Sequence, residues 1–247
     1  MTANNLIHLK FDGKVAILTM NDGQTTSKNC HNLEFANQLI SRLEEVENNH
    51  EIKSLILTSD DEKNWSQGID VAWFLGLIQQ QDFEPLQTFL HTMDQILEKL
   101  MRFPVPVIAA INGHTFGNGC VLAAACDFRF MRQDRGYVCF PEVDMGIPFL
   151  PGLVDVITKA FPKKTFSQMI LTGKKYTANE MHELGVVEFL ADNQIDLMEK
   201  SISFAKSFNK KRAIFSDHKR KLNDGIIEQM LKLDSSAIEQ KQFFLST

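Results

Sequence analysis

PVIAAINGHTFGNGCVLAAACDFRFMR, residues 106–132, is the stretch that decides the fold. Its apolar residues 107–111 suit a buried β-strand, and the Asn-Gly pair at 112–113 is typical of a turn. Residues 120–126 are small and apolar enough for a buried helix, and residues 127–131 return to the pattern of a strand. The stretch therefore predicts strand, glycine-rich turn, helix and strand, which is the alternation of an α/β protein.

Three glycines, Gly113, Gly117 and Gly119, lie in the turn before the predicted helix. Without side chains at these positions, backbone N–H groups at a helix start can face outward and hold a developing negative charge. A tight structural turn in front of a core helix would have the same composition. This stretch alone does not decide between an anion site and a structural turn.

Composition limits the classes of protein and partner. The 247 residues are 44% hydrophobic, which is enough for one substantial core, and the net charge of −5 does not favour nucleic acid or an anionic membrane surface. The cysteines show no CxxC or Cys/His spacing typical of a metal site, and no charged and apolar signal segment is recognisable. We therefore expect reduced thiols, no metal site and a cytoplasmic protein that binds neither nucleic acid nor membrane.

The chain before the central stretch also alternates strands and helices. Residues 6–10 and 15–20 alternate in polarity around a turn and predict a β-hairpin. Apolar residues recur at helical spacing over 33–46, and residues 54–58 form the next apolar strand. A longer helix is predicted over 83–103, where a proline ends it.

The segment WSQGID, which ends at Asp70, is a second candidate site. Asp70 suits the N-cap of a helix over residues 71–81, which would place the N–H of Ile69 at a helix entrance. An ordinary capped loop has the same pattern. Trp73 and Phe74 begin a bulky stripe on this helix, which suits core packing, or the wall of an apolar tunnel if a site lies beside it.

Glu142 is the third candidate. It lies between Phe140 and Met145, and an apolar setting raises the pKa of a carboxyl towards values useful for proton transfer near neutral pH. A surface glutamate that follows the turn proline Pro141 is the alternative interpretation.

The C-terminal part of the chain has the pattern of helices. Residues 177–180, TANE, predict a capping box. Helices are then predicted over residues 195–208, 213–222 and 226–244.

Three segments of this sequence resemble one known family. VIAAINGHTFGNGCVLAAACDFR looks like the strand, glycine loop and helix of the enoyl-CoA hydratase/isomerase, or crotonase, superfamily. WSQGID resembles the first oxyanion loop of that superfamily, and LTGKKYTANEMHELGVVEFL resembles its helix and strand in the C-terminal third. Three matches in the right order are far more specific than any one of them.

The resemblance implies an architecture and a ligand. It implies an α/β, crotonase-like fold of repeated ββα units over residues 1–192, followed by a C-terminal helical region over 193–247 that forms a homotrimer or a dimer of trimers. It implies an acyl-CoA substrate and no separate cofactor. Basic residues within 209–221 could then meet CoA phosphates, although a solvated helix face is the commoner explanation. The loop over 21–29 lacks the family's usual Arg-Pro and Asn-Ala elements, so the contacts to CoA stay open.

The resemblance also assigns roles by position. The N–H groups of Ile69 and Asn118 would form an oxyanion hole for a thioester carbonyl, and Glu142 would be the catalytic acid and base. The positions expected to contact substrate are Ser66, Gly68, Asp70, Trp73, Phe74, His114, Gly117, Gly119 and Val121.

Val121 occupies the position of the first hydratase carboxylate, and this departure favours isomerisation. Moving a double bond from 3-enoyl-CoA to 2-enoyl-CoA needs one carboxylate that takes a proton from C2 and returns it at C4. The segment 131–152 also resembles the isomerase branch more than the hydratases. A weak hydratase, a thioester hydrolase, a decarboxylase and a silent acyl-CoA-binding protein are the alternatives.

Overall fold

A computed structural model of the chain describes residues 5–21 and 29–244, so most of the predicted polar loop over 21–29 lies outside the described residues. The strands, in chain order, are β1 (Ile7–Asp12), β2 (Val15–Met20), β3 (Cys30–His31), β4 (Ser54–Ser59), β5 (Asn64–Ser66), β6 (Gly68–Ile69), β7 (Val107–Ile111), β8 (His114–Phe116), β9 (Phe128–Arg132), β10 (Val138–Cys139) and β11 (Phe189–Ala191). The helices are α1 (Leu33–Asn48), α2 (Val71–Gln80), α3 (Glu84–Arg102), α4 (Asn118–Ala125), α5 (Glu142–Met145), α6 (Leu153–Thr158), α7 (Lys163–Thr172), α8 (Ala178–Glu183), α9 (Gln194–Ser207) and α10 (Arg212–Glu239).

The main sheet has the spatial order β1, β2, β4, β7, β9, β11. The predicted hairpin is confirmed, because β1 and β2 are antiparallel with Asp12 opposite Val15. The other neighbouring pairs of this sheet are parallel. Parallel strands need crossover connections, which the intervening helices supply.

Helices cover both faces of this sheet. In β4, Leu55 and Leu57 belong to the larger apolar cluster, which also contains residues of α1, α3, α4 and α10. Ile56 between them faces the other way and packs with Leu197 and Ala205 of α9. Because successive side chains of a strand point to opposite faces, a strand covered on both sides has consecutive apolar residues, as residues 55–57 of the predicted strand are.

The central stretch contains one strand that its pattern did not indicate. The turn before the predicted helix includes β8, and α4 begins at Asn118 rather than at residue 120. The backbone N–H of His114 donates to Lys63 O at 2.8 Å, and that of Thr115 donates to Tyr137 O at 2.9 Å. Since both partners are distant in the sequence, local composition could not predict this strand.

The prediction of two helices over 213–222 and 226–244 was wrong, because α10 is continuous across the Asn-Asp-Gly segment at 223–225. The Asn223 side chain donates to Met101 O at 2.7 Å, and Asp224 pairs with Arg102 at 2.8 Å. These contacts with α3 hold residues of low helix propensity inside a helix. The predicted capping box at Thr177 is confirmed.

Within residues 5–21 and 29–244, no helix is both long and apolar enough to cross a bilayer.

Candidate active site

Two loops meet at the N-termini of α2 and α4. Gly68, in the first loop, has φ of +82°, and a Cβ added there would lie 2.7 Å from Phe116 O and 3.0 Å from the backbone N of Asn118. Glycine is therefore required at position 68 for conformation and for space. The close approach brings Ile69, the next residue, beside the first turn of α4.

The donors predicted for an oxyanion hole lie at these helix starts. Asn118 is the first residue of α4, so its backbone N–H has no acceptor within the helix. Ile69 directly precedes Asp70, whose side chain accepts a hydrogen bond from Trp73 N at 3.1 Å and so caps α2 as predicted. Helix N-termini carry partial positive charge, and this placement favours an anionic oxygen between the two loops.

Glu142 begins the short helix α5 and faces the second loop. Its Oε1 atom would lie only 2.8 Å from a Cβ added to Gly117, so the missing side chain at 117 makes room for the carboxyl. Its Oε2 atom is buried and has no hydrogen-bond partner within the described residues. Burial raises the pKa of Glu142 to about 7, so the carboxyl can gain or lose a proton near neutral pH.

Two concave regions join at this point. The first is a narrow apolar cavity of about 50 Å³, whose wall includes Phe74, Val121, Leu153 and Phe243. The second is an open groove lined by polar and apolar side chains, among them Gln67, Asp144 and Lys175, and by Gly117. Ile69, Asn118, Glu142 and Ile147 line both regions. A ligand with an apolar part and a polar part could therefore lie across the junction, with its reacting atoms beside Glu142.

Val121 is fully buried in α4 and lines the apolar cavity. It supplies neither charge nor a hydrogen bond at this position. The α4 helix around it is buried on all sides, and the thiol of Cys120 donates to Thr115 O at 2.9 Å. Burial raises the pKa of that thiol well above its usual value, so Cys120 acts as a packing residue.

Some residues predicted to contact substrate line neither cavity. They are Ser66, Gly68, Asp70, Trp73, His114 and Gly119. Ser66 is fully buried, and its hydroxyl interacts with Asn29 O at 2.9 Å and His31 Nε2 at 2.8 Å. Trp73 packs edge-on against Phe89. Direct contact of these residues with substrate stays a prediction, while the structure gives Ser66 and Asp70 a role in shaping the first loop.

The basic residues within 209–221 line neither cavity. Lys219 is buried and pairs with Asp127 at 2.6 Å, while Lys221 pairs with Asp217 at 2.7 Å on the same helix. These contacts favour a structural and solvated role over contact with phosphates.

Asp94 also lines the apolar cavity, and the sequence analysis missed it. It lies on α3 between Leu90 and Leu97, on the face that the apolar spacing marks as buried, and only 3% of its surface is exposed. Burial, together with the nearby Asp234 carboxyl, raises the pKa of Asp94 well above its usual value. An acidic residue inside an apolar stripe of helical spacing was the signal that could have identified it.

No group of three or more His, Cys, Asp or Glu side chains in the described ranges could hold a metal ion.

The enoyl-CoA hydratase/isomerase family matches this chain over residues 10–244, so the chain belongs to that family. It is similar to enoyl-CoA delta isomerase 3 of Arabidopsis thaliana, with 30% identity over 181 residues, covering 70% of this chain and 74% of that protein. It is also similar to the putative enoyl-CoA hydratase/isomerase YngF of Bacillus subtilis (strain 168), with 30% identity over 93% of this chain and 85% of that protein.

Solved structures confirm the predicted α/β, crotonase-like fold. An enoyl-CoA hydratase from Bacillus halodurans superposes with a TM-score of 0.82 at 20% identity, covering 96% of this chain and 97% of that one. An enoyl-CoA hydratase/isomerase from Mycobacterium paratuberculosis gives a TM-score of 0.84 at 22% identity, covering 100% and 96%. At these identities the likeness shows the fold alone.

Proposed function

We propose that this protein is an enoyl-CoA isomerase that converts 3-enoyl-CoA to 2-enoyl-CoA. One observation carries the proposal. The cavity beside the two helix N-termini is lined by Glu142, whose carboxyl has a pKa of about 7, and by Val121, an aliphatic residue that cannot act as a second acid or base. Enoyl-CoA delta isomerase 3, a relative at 30% identity, supports the same reaction class.

The proposed reaction needs one base and one anion site. The Glu142 carboxylate takes a proton from C2, and the electron pair moves into the thioester oxygen, which the N–H groups of Ile69 and Asn118 stabilise. Protonated Glu142 then returns the proton at C4 while the carbonyl reforms. The double bond thereby moves from C3–C4 to C2–C3, and no atom is gained or lost.

The two concave regions suit the two parts of such a substrate. The apolar wall of the cavity suits an acyl chain, and the open groove suits CoA, because its wall contains Lys175 as a cation for a phosphate. The thioester carbonyl then lies at the junction, where Glu142 and both proposed donors are found. We propose acyl-CoA as the substrate and no further cofactor.

Wild-type protein should convert 3-enoyl-CoA to 2-enoyl-CoA faster than it adds water to 2-enoyl-CoA. The physical reason is that Val121 cannot help to orient an attacking water. A spectrophotometric panel of both substrate types at several chain lengths measures the two rates. Fast hydration by unmodified protein, with slower isomerisation at every length, would overturn the proposal.

Hydration is the second candidate, and the observation that favours it is Asp94, a second carboxyl in the same cavity. A probable enoyl-CoA hydratase of Bacillus subtilis (strain 168) is also 29% identical over 84% of this chain. However, burial and the nearby Asp234 carboxyl raise the pKa of Asp94 and so favour its protonated form, which is a poorer base for activating water than an ionised carboxylate. If the protein has hydratase activity and Asp94→Asn loses it, then hydration uses both carboxyls, Glu142 and Asp94.

We propose further that the protein forms a trimer or a dimer of trimers. Helix α10 buries Ile227 and Met230 against its own core but leaves Ile214 54% and Leu222 77% exposed. These two exposed side chains are candidates for the contact with a neighbouring subunit that the family resemblance implies. Multi-angle light scattering at micromolar protein should therefore give three or six times the chain mass, and a clean monomer would contradict the proposal.

A further inference from the structure

The apolar cavity has one polar position in its wall that the proposed proton transfer does not use. On α3, Leu90, Met93, Asp94 and Leu97 lie on one face and all line the cavity. Asp94 is the acidic member of this otherwise apolar face, and only 3% of its surface is exposed. Helix α3 packs against α10, whereas Glu142 belongs to α5, so the two carboxyls enter the cavity from different elements.

The side chain of Asp94 forms no hydrogen bond with any residue within 5–21 and 29–244. In its acidic neighbour Asp234, the Oδ1 atom accepts a hydrogen bond from Gly152 N at 2.6 Å, whereas the Oδ2 atom is buried and has no partner among the described residues. Buried polar side chains normally find a partner, and an unpaired one is destabilising. The unmet hydrogen-bonding capacity of Asp94 therefore points towards a ligand in the cavity that it lines.

The surroundings of Asp94 select the chemistry of that ligand. Burial and the Asp234 carboxyl favour the protonated form of Asp94, which offers one O–H donor and one carbonyl acceptor. The described residues that line the cavity include no Lys, Arg or His, so a carboxylate or phosphate on the chain would have no countercharge. An ammonium group would lose its water in an apolar space, and the protonated form of Asp94 would offer it no countercharge. A hydroxyl group, which both donates and accepts, matches Asp94 at the lowest desolvation cost.

We propose that Asp94 is a specificity-determining residue that hydrogen-bonds a hydroxyl group on the acyl chain, so that the preferred substrates are hydroxylated acyl-CoA thioesters. The inference rests on the proposed function only in placing an acyl chain in the apolar cavity. It does not require that the protein isomerise the double bond.

Binding of saturated thioesters tests this inference apart from catalysis, because such ligands have no double bond to move. The probes are unsubstituted acyl-CoA and terminally hydroxylated acyl-CoA, compared by isothermal titration calorimetry at several matched chain lengths. At the length that reaches Asp94, wild type should bind the hydroxylated ligand about tenfold more tightly, as one well-formed hydrogen bond allows.

Variants of Asp94 distinguish the contribution of its hydrogen bond to ligand binding from the contribution of its side-chain shape. Asp94→Asn keeps a donor and an acceptor and should retain the preference for the hydroxylated ligand. Asp94→Leu and Asp94→Ala remove both and should reverse the preference, and Asp94→Leu should also raise the thermal midpoint, because it replaces an unpaired polar group with an apolar one. Asp234→Asn, the matched control, keeps the acceptor for Gly152 N and should leave the preference unchanged.

The outcomes separate this inference from the proposed function. The inference would be overturned if, at every chain length, wild type bound the unsubstituted ligand as tightly as the hydroxylated one. A preference for the hydroxylated ligand that persists in Asp94→Leu and Asp94→Ala would overturn it too. Tighter binding of an amino-terminated acyl-CoA than of the hydroxylated one would overturn the assigned ligand class. A hydroxyl preference that depends on Asp94, found together with no isomerase activity, would sustain the inference and reject the proposed function. No binding of any acyl-CoA would reject both.

Discussion

Glu142→Gln should lower kcat for 3-enoyl-CoA isomerisation by about 10² to 10⁴, which is the usual contribution of a general acid and base. Glutamine has nearly the same shape as glutamate but cannot accept the C2 proton. Because the amide still fits beside Gly117, the apolar cavity and the oxyanion donors should persist. Steady-state kinetics measures the loss, and calorimetry with a saturated acyl-CoA should show nearly unchanged binding.

The control for this variant is Glu183→Gln, an exposed glutamate on α8 that lines neither cavity. It removes the same charge and should leave kcat unchanged. Isomerase activity that survives Glu142→Gln at the wild-type level would sink the single-glutamate mechanism.

The pH profile of the wild type should report the same carboxyl. Glu142 must be ionised to take a proton, so kcat/KM should rise with pH and reach half of its maximum near pH 7. The stability effect has the opposite sign. The folded pKa of about 7 exceeds the ordinary 4.5, so the folded state binds more protons than the unfolded state and stability falls as pH rises through this window. Glu142→Gln should therefore be the more stable protein above pH 7, by up to about 3 kcal/mol.

Gly68→Val should lower kcat by about 10² to 10³, as expected when one oxyanion donor is lost. A side chain at this position, where φ is +82°, would meet Phe116 O at 2.7 Å and press on the backbone N of Asn118 at 3.0 Å. The two loops would have to separate, and the donors would no longer converge. Kinetics, with circular dichroism to establish folding, measures the effect.

Two comparisons make this test specific to the loop geometry. Asn118→Ala leaves the backbone N–H in place and should cost much less activity than Gly68→Val. Gly76→Ala changes a glycine in α2 whose added Cβ would meet nothing within 4 Å, and it should be neutral or stabilise by about 0.5 to 1 kcal/mol. Equal losses in folded Asn118→Ala and Gly68→Val would show that the Asn118 side chain matters more than its amide.

Patterns within single segments predicted most of the fold. The β1–β2 hairpin, the apolar strand β4, the Asp70 cap and the capping box at Thr177 all follow from neighbouring residues. Strand β8 and the continuity of α10 did not follow, because both depend on hydrogen bonds to partners far away in the sequence.

Some residues of the candidate site were likewise predicted from the sequence, and others were not. The sequence predicted Ile69, Asn118 and Glu142, and the structure brings all three to one junction. It did not predict that Ser66 would be fully buried and line neither cavity, because alternation in a short strand does not show which face meets the cavity. Asp94 was overlooked although its place in a helical apolar stripe marked it as buried, because the stripe does not show that it lines a cavity.

The missing hydrogen-bond partner of Glu142 Oε2 affects whether the proton taken from C2 exchanges with solvent. Because no described residue forms a hydrogen bond with this oxygen, the described residues provide no hydrogen-bonded relay for its proton. In the proposed reaction, the nucleus removed from C2 thus stays on the carboxyl long enough to be delivered to C4 of the same molecule. Deuterium placed at C2 of the substrate should then be found at C4 of the product, without exchange for solvent hydrogen.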